Sequence, residues 1–167
     1  MTAERTWVRR PQRRPALGLR ALIGSGDRIA AFALPFLAVG IALDVVYPAA
    51  FAVGGPPRWL ALTSAVVLAV GVLGWGWSVV LVLTRMRAGE LVTSGPYAVV
   101  AHPLYTAVAL LVLPWVGFLF DTWLGAVLGA VVYAASRRFA PTEEADLARR
   151  FGAPWDAYRR HVLLPWL

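Results

Sequence analysis

The sequence predicts an all-α membrane protein: a polytopic helix bundle of about four spans, the last two a short helical hairpin, followed by a cytoplasmic amphipathic helix. Two observations carry that prediction. Of the 167 residues, 59% are apolar and only 15% charged, with a mean hydropathy of +0.65, whereas soluble domains run near half apolar and a quarter charged. All 16 basic residues are arginines, and they flank the apolar runs, with seven in residues 1–28 and six in residues 137–160. The apolar excess also excludes disorder, and the lack of cysteine excludes a disulfide scaffold, a zinc finger and thiol catalysis. A net charge of +7 would suit nucleic acid if it sat on a folded face among polar or aromatic readers. Placed at the ends of apolar runs it reads as membrane topology, and no nucleic-acid partner is expected.

Residues 1–28 mix arginines with Pro11, Pro15 and glycines, and read as a basic, poorly ordered tail with one interfacial turn near Leu17 to Ile23. Its expected role is orientation and contact with anionic lipid. Residues 29–167 read as a single membrane domain. The first span runs from Ile29 to about Tyr47, and its one charge, Asp44, falls ~24 Å along the helix from Arg28. That depth places Asp44 at the far interface as a solvated carboxylate, not an intramembrane site. Ala50-Phe51-Ala52 matches a small-x-small cleavage pattern, so a cleaved leader is the competing reading of this end. The length of the run, Asp44 and the second span directly after it favour an uncleaved helix.

Trp59 to Thr84 forms a second, uncharged run, Leu104 to Phe120 a third, and Thr122 to about Ser136 a fourth. Gly71, Gly74 and Gly76, and Gly125 with Gly129, are small residues that let helix backbones approach closely. Two arginines lie in the loop 85–103 and thirteen in the terminal segments, against only Arg58 in the connection 54–58. The positive-inside rule then puts both termini and the central loop on the cytoplasmic side of an inner or plasma membrane, in a multi-pass protein.

The polar groups concentrate on that side. The loop 89–105 reads GELVTSGPYAVVAHPLY: Ser94-Gly95-Pro96 makes a turn, and Pro103 occupies the natural first position of the third helix. His102 therefore falls at the cap of that helix, with Tyr105 one turn in, and both are positioning candidates; a purely structural cap is the alternative for His102. In the tail from Pro141, Thr142 begins a helix whose first turn carries Glu143 and Glu144, where simple capping is the alternative. Leu147, Phe151, Trp155, Tyr158 and Val162 then recur at helical spacing, giving an amphipathic helix that lies on the membrane and covers the loop.

In order, LVTSGPY, HPLY opening a span, a helical hairpin and EExxLxxxFGxxWxxY resemble the isoprenylcysteine carboxyl methyltransferase family and its bacterial and phospholipid methyltransferase relatives, over about residues 89–162. The resemblance implies an integral membrane enzyme that uses S-adenosylmethionine without a Rossmann domain, taking a lipophilic acceptor, an isoprenoid or other lipid, from the bilayer. Carried over by motif position, Gly89, Glu90, Leu91 and Val92 would line the adenosyl site, largely through backbone. Tyr97, His102, Pro103, Leu104 and Tyr105 would surround the cofactor, and Glu143 and Glu144 would meet it from the tail. The residue types suit that cofactor: the carboxylates accept from an ammonium or ribose hydroxyls, and His102 and Tyr105 donate.

Two positions depart from the family's pattern. Ala101 stands where arginine commonly precedes HP, and Leu163-Leu164 where a Pro-Arg pair often comes after the tail valine. Arg138, Arg159 or Arg160 would then supply the missing cation, with Arg138 the substrate-binding candidate, or the acceptor is not acidic, or the chain is a degenerate member of the family with weak activity. Two other functions fit parts of the pattern. Membrane reductases of the sterol type, which use NADPH, resemble this chain in the HPxY helix and the tail aromatics, although their helix usually reads HPNY and then Gly-Glu, where this chain has HPLY and then Thr106-Ala107. A non-enzymatic small membrane protein would use His102 and the Glu pair only as caps.

Overall fold

A computed structural model describes residues 25–55 and 57–165, and within them every named element is helical. The expected interfacial turn at 17–23 and most of the basic tail lie outside the described residues. The last residues of that tail, Gly26–Arg28, belong to the first helix, α1 (Gly26–Val46). Its 21 residues reach ~31 Å, a hydrocarbon core's thickness. Pro35 sits inside α1 without ending it. A short α2 (Pro48–Phe51) leads to α3 (Arg58–Met86), whose last turn, Val82–Met86, is wound as π-helix. α1 and α3 are each long and apolar enough to cross a membrane, with mean hydropathies of 2.3 and 2.4. Phe32, Leu34 and Phe36 on α1 and Trp59, Leu62 and Leu73 on α3 are exposed. Such a surface is a liability in water and the natural lipid-facing surface in a bilayer.

After α4 (Pro96–Val99) comes α5 (Pro103–Leu119), a shorter apolar helix that is π-wound over Ala107–Val112. Pro114 has no N–H for the Leu110 carbonyl, and the Trp115 indole Nε1 donates to that carbonyl instead, at 3.2 Å. Small residues set the packing. A Cβ on Gly71 of α3 would stand 2.6 Å from the Leu111 Cβ of α5, and one on Gly117 would stand 2.8 Å from the Gly125 Cα across the hairpin. Gly129 likewise lies against the Ala109 carbonyl. α1 joins through Ile29 and Ala33, which form a core with Ala109, Val132 and Ala135.

The hairpin's return arm departs from expectation. The sequence predicts a fourth span from Thr122 to about Ser136 and a tail helix from Thr142; instead α6 runs unbroken over Leu124–Phe151 with Pro141 inside it. One proline removes one backbone hydrogen bond, and the turns on either side stay anchored by buried Ala140 and by Glu143 and Leu147 against the neighbouring elements. The amphipathic helix breaks later, at Gly152, where φ is 60°, and restarts as α7 (Ala153–His161) with Pro154 in its first turn. The apolar spacing still holds across the break, because Phe151, Trp155, Tyr158 and Val162 form one buried cluster on Leu91 and Leu147.

Both ends of the bundle are tied. At one, Thr122 donates to Asp44 Oδ1 at 2.9 Å, so Asp44 is half-buried and partnered instead of simply solvated, and Asp121, at φ 59°, accepts from the Gly55 amide at 2.8 Å. At the other, the extended C-terminal stretch pairs with the loop before α5: the Leu164 amide donates to the Val99 carbonyl at 2.9 Å and the Ala101 amide to the Leu164 carbonyl at 3.4 Å.

Candidate functional site

The polar residues of the sequence motifs converge at this second end, where the loop 87–102, the start of α5, the middle of α6 and α7 meet. Gly95 begins the approach. Its φ of 64° suits glycine, and a Cβ there would press on the Trp77 and Leu81 side chains at 3.1–3.2 Å, so glycine starts α4 without the strain any other residue would bring. Pro96 then opens α4, whose Tyr97 is buried. Pro103 takes the first position of α5 as its fixed φ favours. His102, at the N-cap, makes no side-chain bond to its own helix. Its Nε2 lies 2.9 Å from Glu144 Oε1 on α6 instead, and its ring stacks on that of Tyr105 at 6.1 Å between centroids.

Glu144 also takes Arg159 of α7, at 3.2 Å. The His102 hydrogen bond, and then the Arg159 charge, hold the Glu144 carboxyl below the usual carboxylate range against the opposing effect of burial. An ionised Glu144 accepts, so His102 directs an Nε2–H at it. Glu143 faces the other way along α6. Its Oε2 accepts from Tyr105 Oη at 3.1 Å, from Ser25 Oγ at 2.8 Å and from the Ser25 amide at 3.3 Å. Burial, and next the Glu143 charge, push the Tyr97 hydroxyl well above its ordinary range. Tyr158 is raised to about 12, chiefly by burial, and donates to the Tyr97 carbonyl at 2.9 Å.

Between these groups lies a narrow cleft with about 40 Å³ of free space. Seven of the sequence-selected residues line it: Leu91, Val92, Tyr97, His102, Leu104, Tyr105 and Glu143. Glu144 faces a second cavity of about 260 Å³ on the far side of His102, together with Ser136, Arg137 and Arg159. Gly89, Glu90 and Pro103 line neither; Gly89, at φ 83°, and Glu90 turn the chain out of α3, their amides bonded to the Met86 and Arg85 carbonyls at 3.0 Å. Arg138 is exposed and lines neither cavity, as does Arg160, so Arg159 is the cation of the three candidates that reaches the site. Ala101 and Leu164, the two departures from the motif pattern, are neighbours joined by a backbone hydrogen bond.

Sequence reasoning misses Ser25, and also the Val82 and Met86 side chains that close the cleft from the π turn of α3. A polar residue just ahead of an apolar run is the available signal for Ser25, and at the end of a basic, polar tail it does not stand out.

Long apolar helices with exposed apolar surfaces and a narrow, carboxylate-bearing cleft at one end fit a helical membrane protein with a polar site at one end of its bundle. The chain belongs to the isoprenylcysteine carboxyl methyltransferase family, whose model matches residues 59–149, more than half of the chain and spanning α3 to most of α6. It is therefore a member of a methyltransferase family, and its apolar helices fit a membrane protein. Neither a search of curated proteins nor one of solved structures finds a match to this chain.

Proposed function

We propose that the protein transfers a methyl group from S-adenosylmethionine to a lipophilic acceptor, an isoprenoid or other lipid, at the cytoplasmic face of the membrane. The observation that carries this reading is the meeting of Glu143, His102, Tyr105 and Tyr97 in one cleft of a chain that belongs to a methyltransferase family. The donor set suits the cofactor: a carboxylate for its ammonium or ribose, the Tyr97 hydroxyl as a donor for its carboxylate, and apolar walls of Val92, Leu104 and Leu147. When bound, the cofactor supplies an electrophilic methyl on a sulfonium. What this chain contributes is position and dryness. Glu144 fixes the His102 ring, Tyr105 and Ser25 fix Glu143, and the cluster of Phe151, Trp155 and Tyr158 covers the loop against water. Small-molecule pockets run ~300–1,000 Å³, so binding parts the walls of the cleft.

In the same reading residues 29–167 act as one membrane domain, α1, α3, α5 and the first half of α6 each cross the bilayer, and the cleft shares the cytoplasmic side with both termini. Arg159, with Arg137 beside it in the second cavity, takes the role of the missing motif arginines toward an acceptor headgroup.

Calorimetric titration of the detergent-purified protein with S-adenosylmethionine and S-adenosylhomocysteine tests the proposal. Wild type is expected to bind both, and Glu143→Gln and His102→Ala to weaken binding at least ~10-fold, the loss of a charge-assisted hydrogen bond, while remaining monodisperse. A folded wild type that binds neither ligand, or mutants that bind like wild type, would overturn it. Titration with NADPH in parallel addresses the reductase reading.

A further inference from the structure

The residue that holds Glu143 in place comes from outside the stretch that the family model matches. Ser25 immediately precedes α1, 118 residues away in sequence, and it is buried, with 5% of its surface exposed. It gives Glu143 Oε2 two hydrogen bonds, from its hydroxyl at 2.8 Å and from its amide at 3.3 Å. The hydroxyl has one proton, and of its two contacts the carboxylate is nearer than Tyr105 Oη, which stands at 3.3 Å. Tyr105 in turn directs its own proton to the same carboxylate oxygen, at 3.1 Å. Three donors, two from the buried turn ahead of α1 and one from α5, thus converge on one oxygen, and Oε1 is left as the atom outside the cluster.

We infer that Ser25 is a positioning residue for the cofactor site: it locks the Glu143 side chain in one rotamer, with Oε2 committed to the protein and Oε1 presented to the cation or hydroxyl of the ligand. This rests on the cofactor reading above. A glutamate side chain free to rotate would lose that freedom on each binding event, whereas one already held by α1 does not. The amide bond adds a second link, because the N-terminal end of α1 is a favourable place for a carboxylate. α1, beyond crossing the membrane, is thereby part of the binding apparatus.

The alternative is that Glu143 merely caps α1, in which case Ser25 affects stability and not binding. The test is calorimetry of S-adenosylhomocysteine with wild type, Ser25→Ala, Ser25→Thr, Glu143→Gln and the Ser25→Ala/Glu143→Gln double mutant, each with a thermal melt. Ser25→Ala is expected to raise Kd ~10-fold, the loss of one hydrogen bond to a charge, and Ser25→Thr, which keeps the hydroxyl, to recover most of it. The double mutant should bind no more weakly than Glu143→Gln alone, because Ser25 acts through that carboxylate. Wild-type affinity in Ser25→Ala, or losses that add in the double mutant, would overturn the role of Ser25 while leaving the cofactor reading intact. Absence of binding in folded wild type would overturn both. Should Ser25→Ala fail to fold, Ser25→Cys, with a weaker donor of similar size, carries the same expectation of weakened binding.

Discussion

Glu144 is held from two sides, by His102 at 2.9 Å and Arg159 at 3.2 Å. Its carboxyl titrates lower in the folded protein than in the unfolded chain, so its contribution to stability is fully present above the ordinary glutamate value of ~4.3 and is lost as pH falls through the depressed folded value. Thermal melts between neutral and acid pH should show wild type losing stability below that range, and Glu144→Gln should show a flatter acid limb from a lower starting point. Tyr158→Phe removes the donor to the buried Tyr97 carbonyl and should cost ~1–3 kcal/mol, read as a lower melting temperature. His102, Glu143 and Glu144 are legible in the sequence because HPLY and the Glu pair are short local patterns. Which carboxylate takes which partner is not, since that depends on two adjacent residues leaving α6 about 100° apart, one toward Ser25 and Tyr105 and one toward His102. Ser25 and Arg159 become site residues only through contacts between distant segments, and no local periodicity encodes those.

At the scale of elements, hydropathy locates α1 and α3 to within a few residues, because each is a long uncharged or nearly uncharged run. Pro141 departs from the role that local rules assign it, whereas Gly152 keeps the terminating role usual for glycine. The proline is carried inside α6 by packed flanking turns, and the glycine ends it, with φ 60°. A Cβ at position 152 meets nothing within 4 Å, so Gly152→Ala isolates the conformational penalty, expected at ~1–3 kcal/mol and visible as a lower melting temperature. Gly129→Val tests the hairpin. Its added atoms run into the Ala109 carbonyl and the Pro114 ring, and overpacking of this kind costs ~1–3 kcal/mol, with a fall in the yield of monodisperse protein.

For the whole molecule, the described helices leave two ends of unlike chemistry. One holds the tied turn of Asp44, Thr122 and Asp121, the other the cleft. Since the chain has no cysteine, single cysteines report sidedness directly. Val53→Cys and Thr93→Cys, both at exposed positions, should react with a membrane-impermeant maleimide from opposite sides, Thr93→Cys only after the cytoplasmic face is opened. Labelling of both from one side would refute the four-span arrangement. The two ends also have to be in phase, and the π-wound stretch Ala107–Val112 lies between them in α5. A π turn holds one residue more than an α turn, which rotates the rest of the helix by an angle on the order of 100°. That offset lets His102 and Tyr105 look into the cleft while Gly117 looks at Gly125. Deleting one residue from this stretch would therefore take out the surplus without turning either end: the helix would re-form with regular α winding, and His102 and Gly117 would keep the faces they now present, whereas winding all the present residues as α would swing one end away from its partners.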